Sequence, residues 1–182
     1  QGLKLRVTVK EVKNISRDDV RFKLQFSEYA DFQSAFDVVA TTSCMATSTW
    51  CYANGGGVDN EVIASSTLSD SESCLGGVGA GCGTRNESPN MYYGYRHSAG
   101  DVVEYEFTVQ SAGPRVNRVY YFRLYDITQD VAVPTNNGES YPSLTAEGAS
   151  LSFAMTGIAS STIVEGVTLD IDTTPMTLSF GT

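Results

Sequence analysis

The sequence predicts an all-β domain, an antiparallel β-sandwich of immunoglobulin-like or jelly-roll-like type that carries a long disulfide-braced insertion. Apolar and polar residues alternate along several separate runs, which is the period of a half-buried strand. Turn-forming residues separate these runs, and no run keeps a helical period for more than about one turn. The chain has 182 residues, of which 41% are apolar, so it can bury a core of its own.

Two alternating runs open the chain. Residues 3–9 place leucine and valine on one face and basic residues or threonine on the other, and residues 20–26 alternate in the same way. A polar turn at 14–19 separates the two runs, so they are predicted to pair as antiparallel neighbours. Residues 36–40 predict a third, shorter strand.

An irregular insertion is predicted from about residue 41 to residue 98. It is rich in glycine, including Gly55-Gly56-Gly57, and it shows one weak strand pattern over 61–66. Segments of such length without regular structure are usually functional or held by cross-links. All four cysteines of the chain lie inside this segment, which favours cross-links.

The cysteines form an even set without a Cys-x-x-Cys pair, which favours two disulfides over a zinc site. They are Cys44, Cys51, Cys74 and Cys82. Of the three connectivities that four cysteines allow, Cys44–Cys51 with Cys74–Cys82 is favoured because each pair closes a short local loop. Two disulfides predict an oxidising compartment, so we expect an extracellular or cell-surface location.

Further strands are predicted after the insertion. Residues 103–109 alternate cleanly, whereas residues 118–127 are apolar on both faces, as expected of a central strand. Three more apolar runs follow at 151–155, 163–171 and 176–180. The chain is therefore divided into a sandwich of residues 1–147 and a C-terminal part, 148–182, whose strands complete the sandwich or pair with a neighbouring subunit or domain.

Composition and motifs exclude several classes of function. The formal net charge of −9 and the pI near 4.5 oppose binding to nucleic acid, and no apolar run is long enough for direct membrane insertion. His97 is the only imidazole and no Gly-x-Ser-x-Gly motif accompanies it, so we predict no catalytic residue, no cofactor and no metal site. Acidic runs at 69–72 and 170–172 leave calcium as an open alternative, although neither is a complete calcium loop.

Two sets of residues are candidates for ligand binding or glycosylation at the protein surface. Aromatic side chains in the irregular region could stack on sugars or contact a protein, with packing against the cysteine loop as the alternative: Trp50, Tyr52, Tyr92, Tyr93 and Tyr95. The Asn-x-Ser pattern occurs at Asn14 and Asn86, which makes both candidate glycosylation sites in a host that glycosylates.

Three stretches together resemble repeat domains of very long predicted cell-surface proteins of the ultra-small candidate-phyla bacteria. They are VRFKLQF at 20–26 followed by a cysteine and Trp50, YYFRLY at 120–125 followed by Tyr141-Pro142, and the closing TTPMTLSFGT at 173–182. The resemblance touches most of the chain. It implies a secreted or surface-attached array of β-sandwiches, with no catalytic residues to carry over.

We therefore expect a non-catalytic extracellular structural module of a cell-surface fibre, pilus-like polymer or surface layer, whose partners are copies of itself or adjacent domains of the same surface protein. The alternative is an adhesin or a carbohydrate- or protein-binding module that uses the aromatic insertion to bind glycans or host-cell proteins. An apolar strand can add to the sheet edge of a neighbour, and repeated head-to-tail addition builds a filament. The candidate assembly strand is formed by Met176, Leu178 and Phe180.

Overall fold

Strands make up almost all of the regular structure in the described part of the chain. The computed structural model describes residues 2–44, 49–64, 82–89, 94–113, 115, 117–135 and 139–146. Within these ranges one turn of 3-10 helix spans Thr41–Ser43 and no α-helix occurs, which confirms the all-β fold class. In chain order the strands are β1 (Leu3–Lys10), β2 (Arg17–Val20), β3 (Phe22–Ser27), β4 (Phe36–Asp37), β5 (Trp50–Tyr52), β6 (Val62–Ile63), β7 (Gly83–Asn86), β8 (Tyr95–His97), β9 (Val102–Ser111), β10 (Arg118–Asp126), β11 (Val131–Ala132) and β12 (Ser143–Ala146).

The first sheet has the strand order β1-β9-β7-β6, and β5 also pairs with β9. The two longest of these strands, β1 and β9, pair from Leu3 opposite Val109 to Lys10 opposite Val102. The pairs are antiparallel except that β7 runs parallel to β9, so the sheet is mixed where the sequence predicted a purely antiparallel one. Between β7 and β9 the chain leaves this sheet to form β8. Such a crossover connection allows β7 and β9 to run parallel.

The second sheet has the strand order β11-β10-β3-β4, and β12 also pairs with β10. β10 therefore lies inside the sheet, as the doubly apolar pattern of residues 118–127 predicts. β2 and β8 form a separate two-stranded ribbon.

The two sheets pack face to face over an aromatic core. Phe22 of β3 contacts Tyr105 of β9 edge-on with ring centroids 5.0 Å apart, and Trp50 of β5 contacts Phe122 of β10 in the same way at 5.1 Å. Each contact joins one sheet to the other, as in a β-sandwich. The centre of this core is formed by six residues from both sheets that are each at most 4% exposed: Phe22, Leu24, Tyr105, Phe107, Phe122 and Leu124.

The pairing of the first two predicted strands was wrong. β1 pairs with β9, whereas β3 pairs with β10 and β4 in the other sheet. The chain enters the ribbon at β2 before it reaches β3, and this detour takes it from one sheet to the other. Alternation identifies the buried face of a strand but carries no information about a distant partner.

The insertion is more regular than the sequence predicts. Four short strands, β5 to β8, lie in the described parts of 41–98, and three of them extend the first sheet. The weak pattern at 61–66 contains β6. The three strands predicted after residue 150 lie outside the described residues, and so do Met176, Leu178 and Phe180.

Candidate functional site

A disulfide braces the start of the insertion. Cys44 follows the 3-10 turn and Cys51 lies on β5, with their Cα atoms 5.5 Å apart, which is a usual separation for a disulfide. The predicted pair Cys44–Cys51 is confirmed. Cys82 is also disulfide-bonded, while Cys74 lies outside the described residues. The brace fixes the entry of β5 into the first sheet.

Trp50 and Tyr52 are core residues and do not form a binding surface. Trp50 is 7% exposed and Tyr52 is 1% exposed. The Tyr52 hydroxyl accepts a hydrogen bond from the backbone N–H of Leu24 at 3.1 Å, which links the two sheets. Burial raises the pKa of Tyr52 above its usual value. The expectation of an exposed aromatic platform is wrong at these two positions, because residues 50–52 form a strand that turns both rings into the core.

The other candidate surface residues have different outcomes. Tyr95 lies on β8, while Tyr92 and Tyr93 lie outside the described residues. Asn14 is exposed in the turn after β1 and remains a candidate glycosylation site. Asn86 is 1% exposed on β7, so its amide has no room for a glycan in this fold and the expectation fails there. The Asn-x-Ser pattern carries no information about burial, which is why the sequence could not separate the two asparagines.

The only histidine of the chain is buried. His97 of β8 is 3% exposed, its Nε2 lies 2.5 Å from the hydroxyl oxygen of Tyr105, and the two rings stack with centroids 5.9 Å apart. Phe22 meets the imidazole edge-on. Burial lowers the pKa of His97, so the neutral imidazole is favoured. In this position the imidazole joins the ribbon to the core and is not presented to a substrate.

Five charged side chains form a cluster on the outer face of the first sheet. Arg6 of β1 stands opposite Glu106 of β9, and Arg85 of β7 stands opposite Glu106 on the other side. Because successive side chains of a strand point to opposite faces, the inward rings of Tyr105 and Phe107 place the glutamates of β9 outward. We call this set the charge cluster: Lys4, Arg6, Arg85, Glu104 and Glu106.

Glu106 is the centre of the charge cluster. Its carboxylate lies 2.6 Å from Arg6, 3.2 Å from Lys4 and 3.3 Å from Arg85, and Glu104 adds a longer contact to Arg6 at 3.7 Å. Both glutamates are buried. Although burial acts to raise it, the pKa of Glu106 is lowered because hydrogen bonds from Arg6 and Lys4 favour the charged carboxylate.

The charge cluster is suited to holding strands together. Its cations come from β1 and β7 and its anions come from β9, so the ion pairs cross both strand interfaces. General acid–base catalysis by two carboxyls requires one of them to hold a proton near neutral pH. The lowered pKa of Glu106 keeps this carboxylate charged instead. Alternation predicts the face on which the two glutamates lie, but not that residues from distant strands would bury them.

A glycine-rich loop packs beside the charge cluster. The Glu87 carboxylate accepts hydrogen bonds from the backbone N–H groups of Gly55 at 2.9 Å and Gly57 at 3.3 Å, and Asp59 accepts one from the N–H of Glu87 at 2.7 Å. A Cβ atom on Gly55 would collide with the Thr108 hydroxyl, so this close approach requires glycine. The loop carboxylates therefore bind backbone groups, and the described ranges contain no group of three or more side chains suited to hold a metal ion.

β1 has one paired edge and one open edge in the described part of the chain. The N–H of Glu11 donates to the carbonyl of Asp101 at 3.0 Å, which continues the register of β1 with β9. Because bonded pairs alternate in an antiparallel ladder, the odd-numbered residues of β1 bond to β9 and the even-numbered residues face away from it. Lys4, Thr8 and Lys10 therefore direct their backbone groups to an edge that no described strand occupies.

Comparison with known proteins identified no relative of the chain. No protein-family model, no curated protein and no solved structure matches the chain. In the described ranges, no helix has both the length and the apolar character needed to cross a membrane.

Proposed function

We propose that the chain is a non-catalytic structural module of a cell surface, a building block of a fibre, pilus-like polymer or surface layer. One observation carries this proposal: the side chains best suited to chemistry are used for packing in the described residues. His97 is stacked in the core, Trp50 and Tyr52 fill it, and Glu106 is bound by three cations. Such an arrangement favours resistance to unfolding over turnover of a substrate.

The disulfide and the sandwich support an extracellular setting. A bond such as Cys44–Cys51 forms and persists in oxidising compartments and is rare in the cytosol of most organisms. The sandwich architecture is common among domains of cell surfaces. Secretion and surface attachment are themselves part of the proposal.

The adhesin alternative has less support. Two of the five aromatic residues that favoured it, Trp50 and Tyr52, lie in the core. It would regain support if a glycan or a protein ligand bound the monomer through the remaining residues of that set, which are Tyr92, Tyr93 and Tyr95.

The test is whether the oxidised full chain assembles. We expect sedimentation velocity to show species larger than the monomer as the concentration rises, and electron microscopy to show regular fibres or arrays. A chain that stays monomeric at every concentration and binds a glycan array would favour the adhesin alternative. A hydrolytic activity that disappears in the variant His97→Gln would contradict the proposal.

A further inference from the structure

We propose that the open edge of β1 is the site at which the chain binds the next copy, and that the occupying strand is residues 163–172 of that copy. This inference rests on the proposed function, since it names the contact through which the module would polymerise. It replaces the expected assembly strand at Met176, Leu178 and Phe180 with an earlier run of the same C-terminal part.

The edge of β1 has the features of an acceptor for an added strand. β1 has eight residues, whereas β6 and β4, at the ends of the two strand orders, have two residues each. Sheet edges are usually protected by short strands, by proline or by charged side chains. β1 contains no proline, and the side chains of Lys4 and Arg6 are drawn into the charge cluster. An edge of this kind can bind an extended segment through main-chain hydrogen bonds.

The apolar face of β1 is incompletely covered. Leu5 is 3% exposed, but Leu3, Val7 and Val9 are only half-buried although they pack against the core. An added strand with apolar residues at every second position would cover these three side chains, because residues on neighbouring strands share a face. Removing this apolar surface from water would favour the contact.

Residues 163–172 match both faces of this edge. Aspartates at 170 and 172 and a threonine at 168 lie at even positions, and most odd positions are apolar. In an extended conformation residues 167–172 therefore have one apolar face and one polar face with two aspartates, whereas Glu165 interrupts the apolar side earlier in the run. Its apolar face is formed by Ile163, Val167, Leu169 and Ile171.

Charge complementarity selects this run over the later one. Of the three basic residues of β1, Lys4 and Arg6 bind Glu106 in the charge cluster and Lys10 is exposed, whereas Asp170 and Asp172 share one face of the run 163–172. The run at 176–180 carries no charged side chain. Opposite charges on neighbouring strands stabilise the pair, and like charges destabilise it. Lys10 is exposed at the end of β1, where its ammonium group is accessible to Asp170 or Asp172.

The lengths also agree. The eight residues of β1 span about 26 Å, and the ten residues of 163–172 can pair along all of it. Residues 147–162 connect β12 to this run, and a fully extended connection of that length reaches about 50 Å. This reach is sufficient for a strand to leave its own sandwich and add to a neighbour.

Zero-length cross-linking of the full chain tests the contact. A carbodiimide joins a lysine amine to a carboxylate that touches it, and assemblies formed from a mixture of 15N-labelled and unlabelled chains distinguish links between copies from links within one copy. We expect links from Lys10 to Asp170 or Asp172, with mixed labels at the frequency of random pairing. Lys13 is the matched control, because it is exposed just beyond β1 and should form no such link.

Charge reversal supplies an independent measurement. The variant Asp170→Lys with Asp172→Lys should raise the concentration at which half of the chain is assembled by about tenfold, since two carboxylates that attract the basic strand β1 become ammonium groups that repel it. The variant Asp31→Lys with Glu139→Lys makes the same change of charge at exposed positions that lie between strands of the second sheet, and it should have little effect. The thermal midpoint of each monomer shows whether the variant is folded.

The outcomes separate this inference from the proposed function. Links that never carry mixed labels would place residues 163–172 on their own subunit and overturn the inference. Assemblies without any link from β1 would also overturn it, while the proposed structural function would stand. A chain that remains monomeric at all concentrations would overturn both.

Discussion

Replacing Glu106 with glutamine removes the anion at the centre of the charge cluster with almost no change in side-chain size. Arg6 would then keep the longer contact to Glu104 at 3.7 Å, and Arg85 would keep its pair with Glu61 at 3.0 Å. Breaking a buried ion pair costs about 3–5 kcal/mol, because the partner charge stays buried without compensation.

The exposure of the three cations determines how large the loss of unfolding free energy is within this range. The Arg6 side chain is 12% exposed, whereas those of Lys4 and Arg85 are 28% and 34% exposed and can be solvated. Arg6 therefore bears most of the loss, and we expect the free energy of unfolding to fall by about 3 kcal/mol. The matched variant Glu61→Gln breaks the exposed pair with Arg85 and should lower it by less than about 1 kcal/mol.

Trp50 provides the assay, because it is the only tryptophan and it is buried in the core. Its fluorescence can be followed across a urea transition, and linear extrapolation gives the free energy of unfolding of each variant. A change in Glu106→Gln within about 0.5 kcal/mol of zero, as at ordinary surface positions, would refute the reasoning. Equal losses in Glu106→Gln and Glu61→Gln would show that burial does not decide the strength of these pairs.

Three further perturbations test the core, the histidine and the disulfides. Phe122→Ala should lower the free energy of unfolding, measured by chemical denaturation, by about 3–5 kcal/mol. Phe36→Ala, at a side chain that is 54% exposed, should lower it by less than about 1.5 kcal/mol. Similar losses in the two variants would mean that the buried and exposed faces of the strands are wrongly assigned. Because burial lowers the pKa of His97 in the folded state, the unfolded state takes up the proton more readily. Stability, measured as the urea midpoint, should therefore decline as the pH falls below about 6.5, and an unchanged slope in His97→Gln would assign the effect to another group. Opening the disulfide with Cys44→Ser and Cys51→Ser should cost about 2 kcal/mol, since the closed loop is short. The unreduced mass of the intact chain should lie about 4 Da below the reduced mass, and titratable thiols would contradict the extracellular setting.

The faces of the strands could be predicted from the sequence, but their partners could not. The run at 103–109 alternates, and β9 turns Tyr105 and Phe107 into the core as expected. The alternation of apolar and polar residues is a local pattern, so a short window of sequence contains it. The pairing of Leu3 with Val109 depends on how the intervening chain folds, and no short window contains that information.

The candidate site was harder to predict than the core for the same reason. Trp50 and Tyr52 stand among glycines and cysteines, which are typical of a loop, yet three residues are enough to form β5 beside β9. The alternation of two β-forming aromatic residues around Cys51 was the one available signal for this strand. Glu106 carries no sequence signal of burial, because the cations that cover it come from β1 and β7.

Amide hydrogen exchange of β1 in the full chain, compared between dilute monomer and assembled material, tests most directly the proposal that the chain is a structural module that assembles through the edge of β1. The amides of Leu5, Val7 and Val9 bond to β9 and should be protected in both states. The amides of Lys4, Thr8 and Lys10 face the open edge, so they should exchange rapidly in the monomer and slowly in the assembly. Identical exchange of these three amides in both states would contradict assembly through the edge of β1.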